Sequence, residues 1–166
     1  MMLRDSSVLA AKPSPSDAPA APDLKAPETR VRANPADTGA LREFARACWA
    51  VKSYRQARGV IEAVTARRPR DAQAAYFLAK TDFFLRDFKT ALDEFRALSK
   101  PSSDPSMNFV PALRVAIFTA LCLDQLGQRP SAASFLSYVK MNTTPESLDR
   151  IIAEEGLADY RADLKR

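Results

Sequence analysis

The sequence predicts an all-α chain made of successive helical hairpins, and three observations carry that expectation. From about residue 38 onwards, apolar residues recur at intervals of three and four, the spacing that places them on one face of a helix. The composition is rich in Ala, Leu and Arg with only 4 Gly in 166 residues, and it lacks the alternating β-branched runs a sheet would need. The chain also repeats itself at a fixed interval.

Taken in order, residues 1–36 read as a disordered Pro/Ala-rich tail. This stretch holds 6 of the 12 prolines, in KPSPSDAPAAPDLKAPETRVRANP. Such a composition buries too little apolar surface to offset its ordering entropy, so disorder or partial polyproline structure is expected. Helices follow near 38–51, 54–67, 72–85, 88–99, 109–126, 130–141 and 145–155. Ser53 and Asp87 stand just before new apolar runs, as N-caps do, and Thr144-Pro145 reads as an N-cap followed by Pro at the first helical position. Pro69, Pro101 and Pro105 punctuate helix ends. Gly156 closes the last long helix, and a short helical stretch over 157–165 follows.

FARACWAVKSYRQARGVI (44–61) and LAKTDFFLRDFKTALDEF (78–95) superimpose without a gap at an offset of 34. Ala45 matches Ala79, Tyr54 matches Phe88, Ala57 matches Ala91 and Ile61 matches Phe95. TALCLDQLGQRPSAASFL (119–136) is a third copy at an offset of 41, with Ala120, Gly127, Ala132 and Leu136 in the same places. The longer offset implies about seven inserted residues within 100–108.

A 34-residue helix-turn-helix period with small residues at these positions resembles the tetratricopeptide repeat family. The resemblance covers residues 38–146 and implies an α-solenoid of three repeats (38–71, 72–105 and 113–146). Small residues would let the two helices of a repeat approach closely, and larger ones would fill the space between repeats. Residues 147–166, with Leu148, Ile151 and Ile152 on one face, would cap the stack. Asp82 departs from the pattern by standing where an apolar residue belongs, and a buried Asp82 requires a basic or hydrogen-bonding partner. Thr119 is also polar at an apolar position, and Gly59 sits mid-helix.

Composition excludes much chemistry. The chain has no His, which removes Ser-His-Asp triads, Cys-His dyads and imidazole metal ligands together. Cys48 and Cys122 are isolated in apolar helical patterns and read as core thiols in a reducing compartment. No Gly-rich phosphate loop is present. Glu154-Glu155 and Asp93-Glu94 are adjacent pairs that point to different sides of a helix, so they read as solvated faces rather than acid/base dyads. The expectation is a protein that is not an enzyme and needs no cofactor or metal. The N-terminal apolar run Val8-Leu9-Ala10-Ala11 is too short for a signal peptide or a span, and a cytoplasmic location is expected. The net charge of +5 is local: residues 38–71 hold 8 basic and 3 acidic residues, and every other segment is balanced. A local patch of this kind reads first as a solvated face with some bias, and as a binding surface it suits an acidic protein partner better than nucleic acid.

By analogy with the tetratricopeptide family, the first helix of each repeat lines a concave groove. The resemblance places Arg42, Arg46 and Trp49 there from repeat 1, Gln73, Tyr76, Lys80, Phe83 and Phe84 from repeat 2, and Arg114, Ile117 and Leu121 from repeat 3. Tyr76, Phe83 and Trp49 are expected to stand in the groove, with Phe84 at its edge, while Leu78, Phe95 and Leu98 form core; the alternative is that the tail or the insertion fills the groove, or that these aromatics pack between helices. One branch of the family clamps C-terminal carboxylates, but Phe77 and Phe118 occupy two positions where that clamp has Asn and Arg. In size and architecture the chain is more similar to the small bacterial chaperones of type III secretion translocators. The function implied is capture of another protein, or an extended segment of it, in an aromatic and basic groove, as a chaperone or adaptor. The alternative is a structural component of a secretion or pilus assembly that oligomerises through its convex face or its tail.

Overall fold

The computed structural model describes residues 22–100 and 111–166, and among these every regular element is helical. The helices are α1 (Lys25–Ala33), α2 (Thr38–Ala50), α3 (Tyr54–Arg67), α4 (Ala72–Phe84), α5 (Phe88–Leu98), α6 (Ala112–Gln125), α7 (Arg129–Met141), α8 (Pro145–Glu155) and α9 (Arg161–Lys165), with a 3-10 turn at Ala158–Tyr160. Each helix from α1 to α6 packs on the next, and α4 also touches α2 and α6. The expected insertion lies almost wholly in residues 101–110, and Pro101 and Pro105 with it, outside the described residues.

Two turns recur and fix this order. Lys52, Arg86 and Gly127 each adopt left-handed backbone, with φ of 58°, 66° and 76°. In each case the next residue donates its N–H back to the carbonyl five residues earlier: Ser53 to Cys48 (2.8 Å), Asp87 to Asp82 (3.0 Å) and Gln128 to Leu123 (2.8 Å). This closes the helix end with a left-handed cap and reverses the chain. The three turns are spaced by 34 and 41 residues, the same offsets as the sequence copies. The second turn joins one hairpin to the next. Asp37 and Asp71 each donate to the carbonyl three residues back and accept from the N–H three residues on, Ala40 (2.9 Å) and Ala74 (3.0 Å). Asp87 and Thr144 cap α5 and α8 as expected, through Thr90 and Ser147. Ser53 does not, because its hydroxyl donates to Gln56 Oε1 instead.

The tail boundary needs correction. Residues 25–33, assigned to the disordered tail, form α1, which packs on α2 with Val31 and Pro27 buried. Glu28 accepts a hydrogen bond from Gln56 on α3 (2.7 Å). The turn that follows, Asn34-Pro35-Ala36-Asp37, is Arg68-Pro69-Arg70-Asp71 at an offset of 34, so α1 stands to α2 as α3 stands to α4. The Pro-x-Asp pair was visible in the sequence. It was passed over because high Pro and Ala content elsewhere in the segment dominated its reading. The rest of the expected tail, residues 1–21, lies outside the described residues.

The aromatic stretch of α4 is core. Phe83 is fully buried, with the rings of Phe118, Tyr160, Phe88 and Phe84 centred 5.1–5.6 Å away. Phe95 stacks on Phe118 at 5.1 Å, and Tyr76 packs edge-on against both. Leu78 and Leu98 pack against this core, half-buried. Cys48 and Cys122 are buried free thiols, pushed up by that burial to about 11 and about 12.

Asp82 has the partner its burial demands. Its side chain is 0% exposed and accepts from Arg58 Nε on α3 at 2.7 Å. Its other oxygen, Oδ2, is buried without a donor, as is Oε2 of the neighbouring Glu94 on α5. The expectation of Glu94 as a solvated residue is therefore corrected. Burial first, and then the Asp82 charge, push the Glu94 carboxyl up to about 7, so that it can donate its proton to Asp82.

Two predictions follow from this packing. Ala57 and Ala91 are fully buried between paired helices, so Ala57→Leu or Ala91→Leu should each cost about 1–3 kcal/mol in urea denaturation. Because Glu94 titrates near 7 when folded and at its ordinary 4.5 when unfolded, the folded state holds the extra proton between those values. Stability should therefore fall by about 1–2 kcal/mol as pH rises through that interval, after discounting for solvent screening. Glu94→Gln should flatten the profile there.

Candidate binding cleft

Seven of the eleven residues expected to line a groove do meet in one cleft, between α2, α4, α6 and the end of α8. The cleft has a volume of about 300 Å³. Helical spacing brings them together: Arg42, Arg46 and Trp49 lie on one face of α2, Gln73, Tyr76 and Lys80 on one face of α4, and Arg114 in the first turn of α6. Three of the remaining four are elsewhere, and their placement in the groove is corrected: Phe83 and Ile117 are fully buried, and Leu121 lines a separate notch between α6, α7 and α9. Phe84 stands beside the cleft, against Trp49 (6.4 Å between ring centres) and 5.7 Å from the Lys80 ammonium, with its ring stacked on Tyr54 at 5.2 Å. Tyr76 and Lys80 form the floor and are themselves buried. Of the aromatic strip expected to be open, Tyr76 is enclosed by Phe77, Phe95, Phe118 and Glu155, and Phe83 by Phe84, Phe88, Phe118 and, from the chain beyond α8, Tyr160.

Gly156 takes left-handed backbone (φ 72°) and turns the chain out of α8. Leu157 and Leu164 are then fully buried, and Tyr160 lies on Phe83. α9 packs on α6. At the turn, Glu155 projects into the base of the cleft. It was expected to be solvated but is only 7% exposed.

The Glu155 carboxylate takes donors from two helices. Lys80 Nζ is 2.6 Å from Oε2, the Tyr76 hydroxyl is 3.2 Å from the same oxygen, and Arg114 Nη1 donates to Oε1. Arg114 also grips the neighbouring Glu154. Burial alone would raise the Glu155 carboxyl, but Lys80 and then Arg114 outweigh it and hold it below the ordinary 4.5. Burial lowers Lys80 and raises Tyr76, so the tyrosine stays a neutral donor. The Lys80 ammonium also sits 4.2 Å above the Trp49 ring, a cation–π contact that keeps it directed into the cleft. Trp49 is fixed in turn by its indole N–H, which donates to Thr81 Oγ1 at 3.0 Å.

The charge of the cleft is unbalanced. Lys80 and Arg114 are spent on Glu155 and Glu154, whereas Arg42 and Arg46 are exposed at the mouth and pair with no acidic side chain among the described residues. This is where part of the basic excess of residues 38–71 resides. Arg58 and Arg68 of the same segment are absorbed internally, by Asp82 and Asp71. Among the described residues no cluster of His, Cys, Asp and Glu could hold a metal ion, and no helix is long and apolar enough to cross a membrane.

No family model matches this chain, and no curated protein or solved structure matches it significantly.

Lys80→Ala should destabilise the fold by about 3–5 kcal/mol in denaturant titrations, because a buried carboxylate loses the more deeply buried of its two counter-charges. Lys80→Met combined with Glu155→Gln, neutral at both positions, should recover much of that loss. Since the folded Glu155 carboxyl titrates below its ordinary value, its contribution is present above pH 4.5 and lost as pH falls below it. Trp49 fluorescence should report this acid transition, which runs opposite in sign to the one from Glu94.

Proposed function

We propose that this chain is a non-enzymatic protein-binding module of the tetratricopeptide type, and that it captures an acidic segment of a partner protein in the cleft between α2, α4 and α6. The observation that carries the reading is the pair of exposed guanidiniums, Arg42 and Arg46, beside a floor already able to hold a carboxylate. Guanidinium forks give directed, charge-assisted hydrogen bonds to carboxylates. A mouth with two uncompensated cations favours an anionic ligand over an apolar one.

Support for the repeat assignment comes from the recurrence of both turns at the sequence offsets and from the order in which the helices pack. Within that frame, the chain resembles the small three-repeat translocator chaperones of type III secretion, and a chaperone or adaptor role in secretion is proposed on that resemblance. Tyr76 and Phe83 drop out as anchors for an extended apolar segment, since both are covered. What remains of the expected groove is its basic half with Trp49.

The test is co-purification from the native cell with mass spectrometry, comparing wild type with Arg42→Glu/Arg46→Glu. Both positions are exposed, so helicity and stability should be unchanged. A stoichiometric partner present with wild type and lost from the variant is the expected outcome. A partner retained by both would move the interface off the cleft, to the convex face or residues 1–21, and favour the assembly role.

A further inference from the structure

We propose that the C-terminal segment, residues 155–166, is a displaceable internal ligand of the cleft, with the Glu155 carboxylate occupying the place of a carboxylate on an acidic partner peptide. This rests on the cleft being the partner-binding surface.

Three features point to it. First, the site around Glu155 is a carboxylate receptor in its own right. Its donors come from α4 and α6, elements 41 to 79 residues away in sequence, and converge on one group. Lys80 is only 4% exposed, so a charged donor is fixed there before any ligand arrives. Second, the receptor is continuous with the unpaired cations. Arg42, Arg46 and Gln73 line the same cleft as Glu155, so an acidic peptide engaging the mouth has its next carboxylate close to the donors Glu155 now uses. Third, the segment is attached in a way that permits release. Glu155 is the last residue of α8, held at that helix end by the left-handed Gly156 and by the Leu157 N–H that donates to the Ile152 carbonyl (2.9 Å), so detachment of residues 157–166 leaves Glu155 on an uncapped, fraying turn. Beyond Gly156 the segment's ion pairs, from Arg161 and Lys165 to Asp149 and from Arg166 to Asp124, involve exposed partners of the kind that contribute little to stability. Leu157, Tyr160 and Leu164 are its apolar anchors. A short terminal element held by three such anchors belongs to the class that opens locally without global unfolding.

Displacement would have a second consequence. The ring of Tyr160 covers Phe83. Release of the segment would therefore expose the aromatic surface of α4 only when an acidic ligand has already engaged, and premature association through that surface would be suppressed.

The experiment uses the full chain and a fluorescein-labelled hexaglutamate peptide, with anisotropy read at low and physiological ionic strength. Two variants open the segment by different routes: Glu155→Gln removes the carboxylate, and Leu164→Asp removes an apolar anchor without touching the cleft. Both should bind the peptide about tenfold more tightly than wild type, as expected when an internal competitor is removed. Adding Arg42→Glu/Arg46→Glu to either should abolish the gain. In wild type, hydrogen exchange at the amides of residues 157–164 should accelerate on adding the peptide, while α4 and α6 stay protected. Peptide binding that depends on Arg42 and Arg46 but is unchanged by both opening variants would overturn the displacement proposal and leave the cleft reading standing. A gain with Glu155→Gln alone would also overturn it, since that gain would be one of charge only. Unaltered or slowed exchange in 157–164 would do the same. No binding by any of the chains would sink the cleft reading and this proposal together.

Discussion

A single buried carboxylate organises the open side of this molecule. Glu155 brings together Lys80 and Tyr76 of α4 and Arg114 of α6 at the base of a cleft that would otherwise hold a buried, uncompensated ammonium. In a region this dry, neither charge is tolerable alone, and each is acceptable with the other. The contact also sets the path of the last dozen residues. Once Glu155 is seated, Gly156 turns the chain and Leu157, Tyr160 and Leu164 fall onto α4 and α6. The burial of Phe83 beneath Tyr160 and the restriction of the groove to its basic half both follow.

The helices that present this site are held in order by backbone geometry. Left-handed caps at Lys52, Arg86 and Gly127 reverse the chain inside each hairpin, and the Asp37 and Asp71 caps start the next one. Small residues at the helix contacts, Ala45, Ala57, Ala79 and Ala91, allow the close approach that aligns α2 and α4 side by side. That alignment is what sets Arg42, Arg46 and Trp49 opposite Gln73, Tyr76 and Lys80. A second polar node, Arg58–Asp82–Glu94, ties α3, α4 and α5 on the other side of α4. The most buried helix is thus pinned by charge on two faces and by aromatic packing between them, which leaves it little freedom to shift.

The two nodes differ in their balance of charge. Around Asp82, one guanidinium serves three carboxyl groups, Asp82, Glu62 and Glu94, and the excess is relieved as burial and the Asp82 charge make Glu94 hold a proton more readily than a free carboxyl. In the cleft the excess has the opposite sign: cations outnumber carboxylates, and a proton cannot resolve it because arginine does not release one. An external anion is the natural complement. The same arithmetic explains why the basic bias of residues 38–71 concentrates functionally at only two side chains, with Arg58 and Arg68 already committed inside the fold.

Much of this was written locally in the sequence. Helix positions from α2 to α8 were legible to within a few residues, because apolar periodicity, Asp87, Thr144-Pro145 and Gly156 act over one or two turns. The offsets of 34 and 41 were legible for the same reason, and so was the need of Asp82 for a basic partner. The seven cleft residues came from the resemblance to the tetratricopeptide repeat, carried onto the first helix of each repeat. The burial of Tyr76, Lys80 and Phe83 and the role of Glu155 could not be read this way. They depend on where a segment some 75 residues further along comes to lie, and its mixed charges looked solvated when taken by themselves. Local chemistry specifies which face a side chain occupies. Only the packed chain decides what, if anything, covers that face, because covering it is a contact between elements with no shared periodicity.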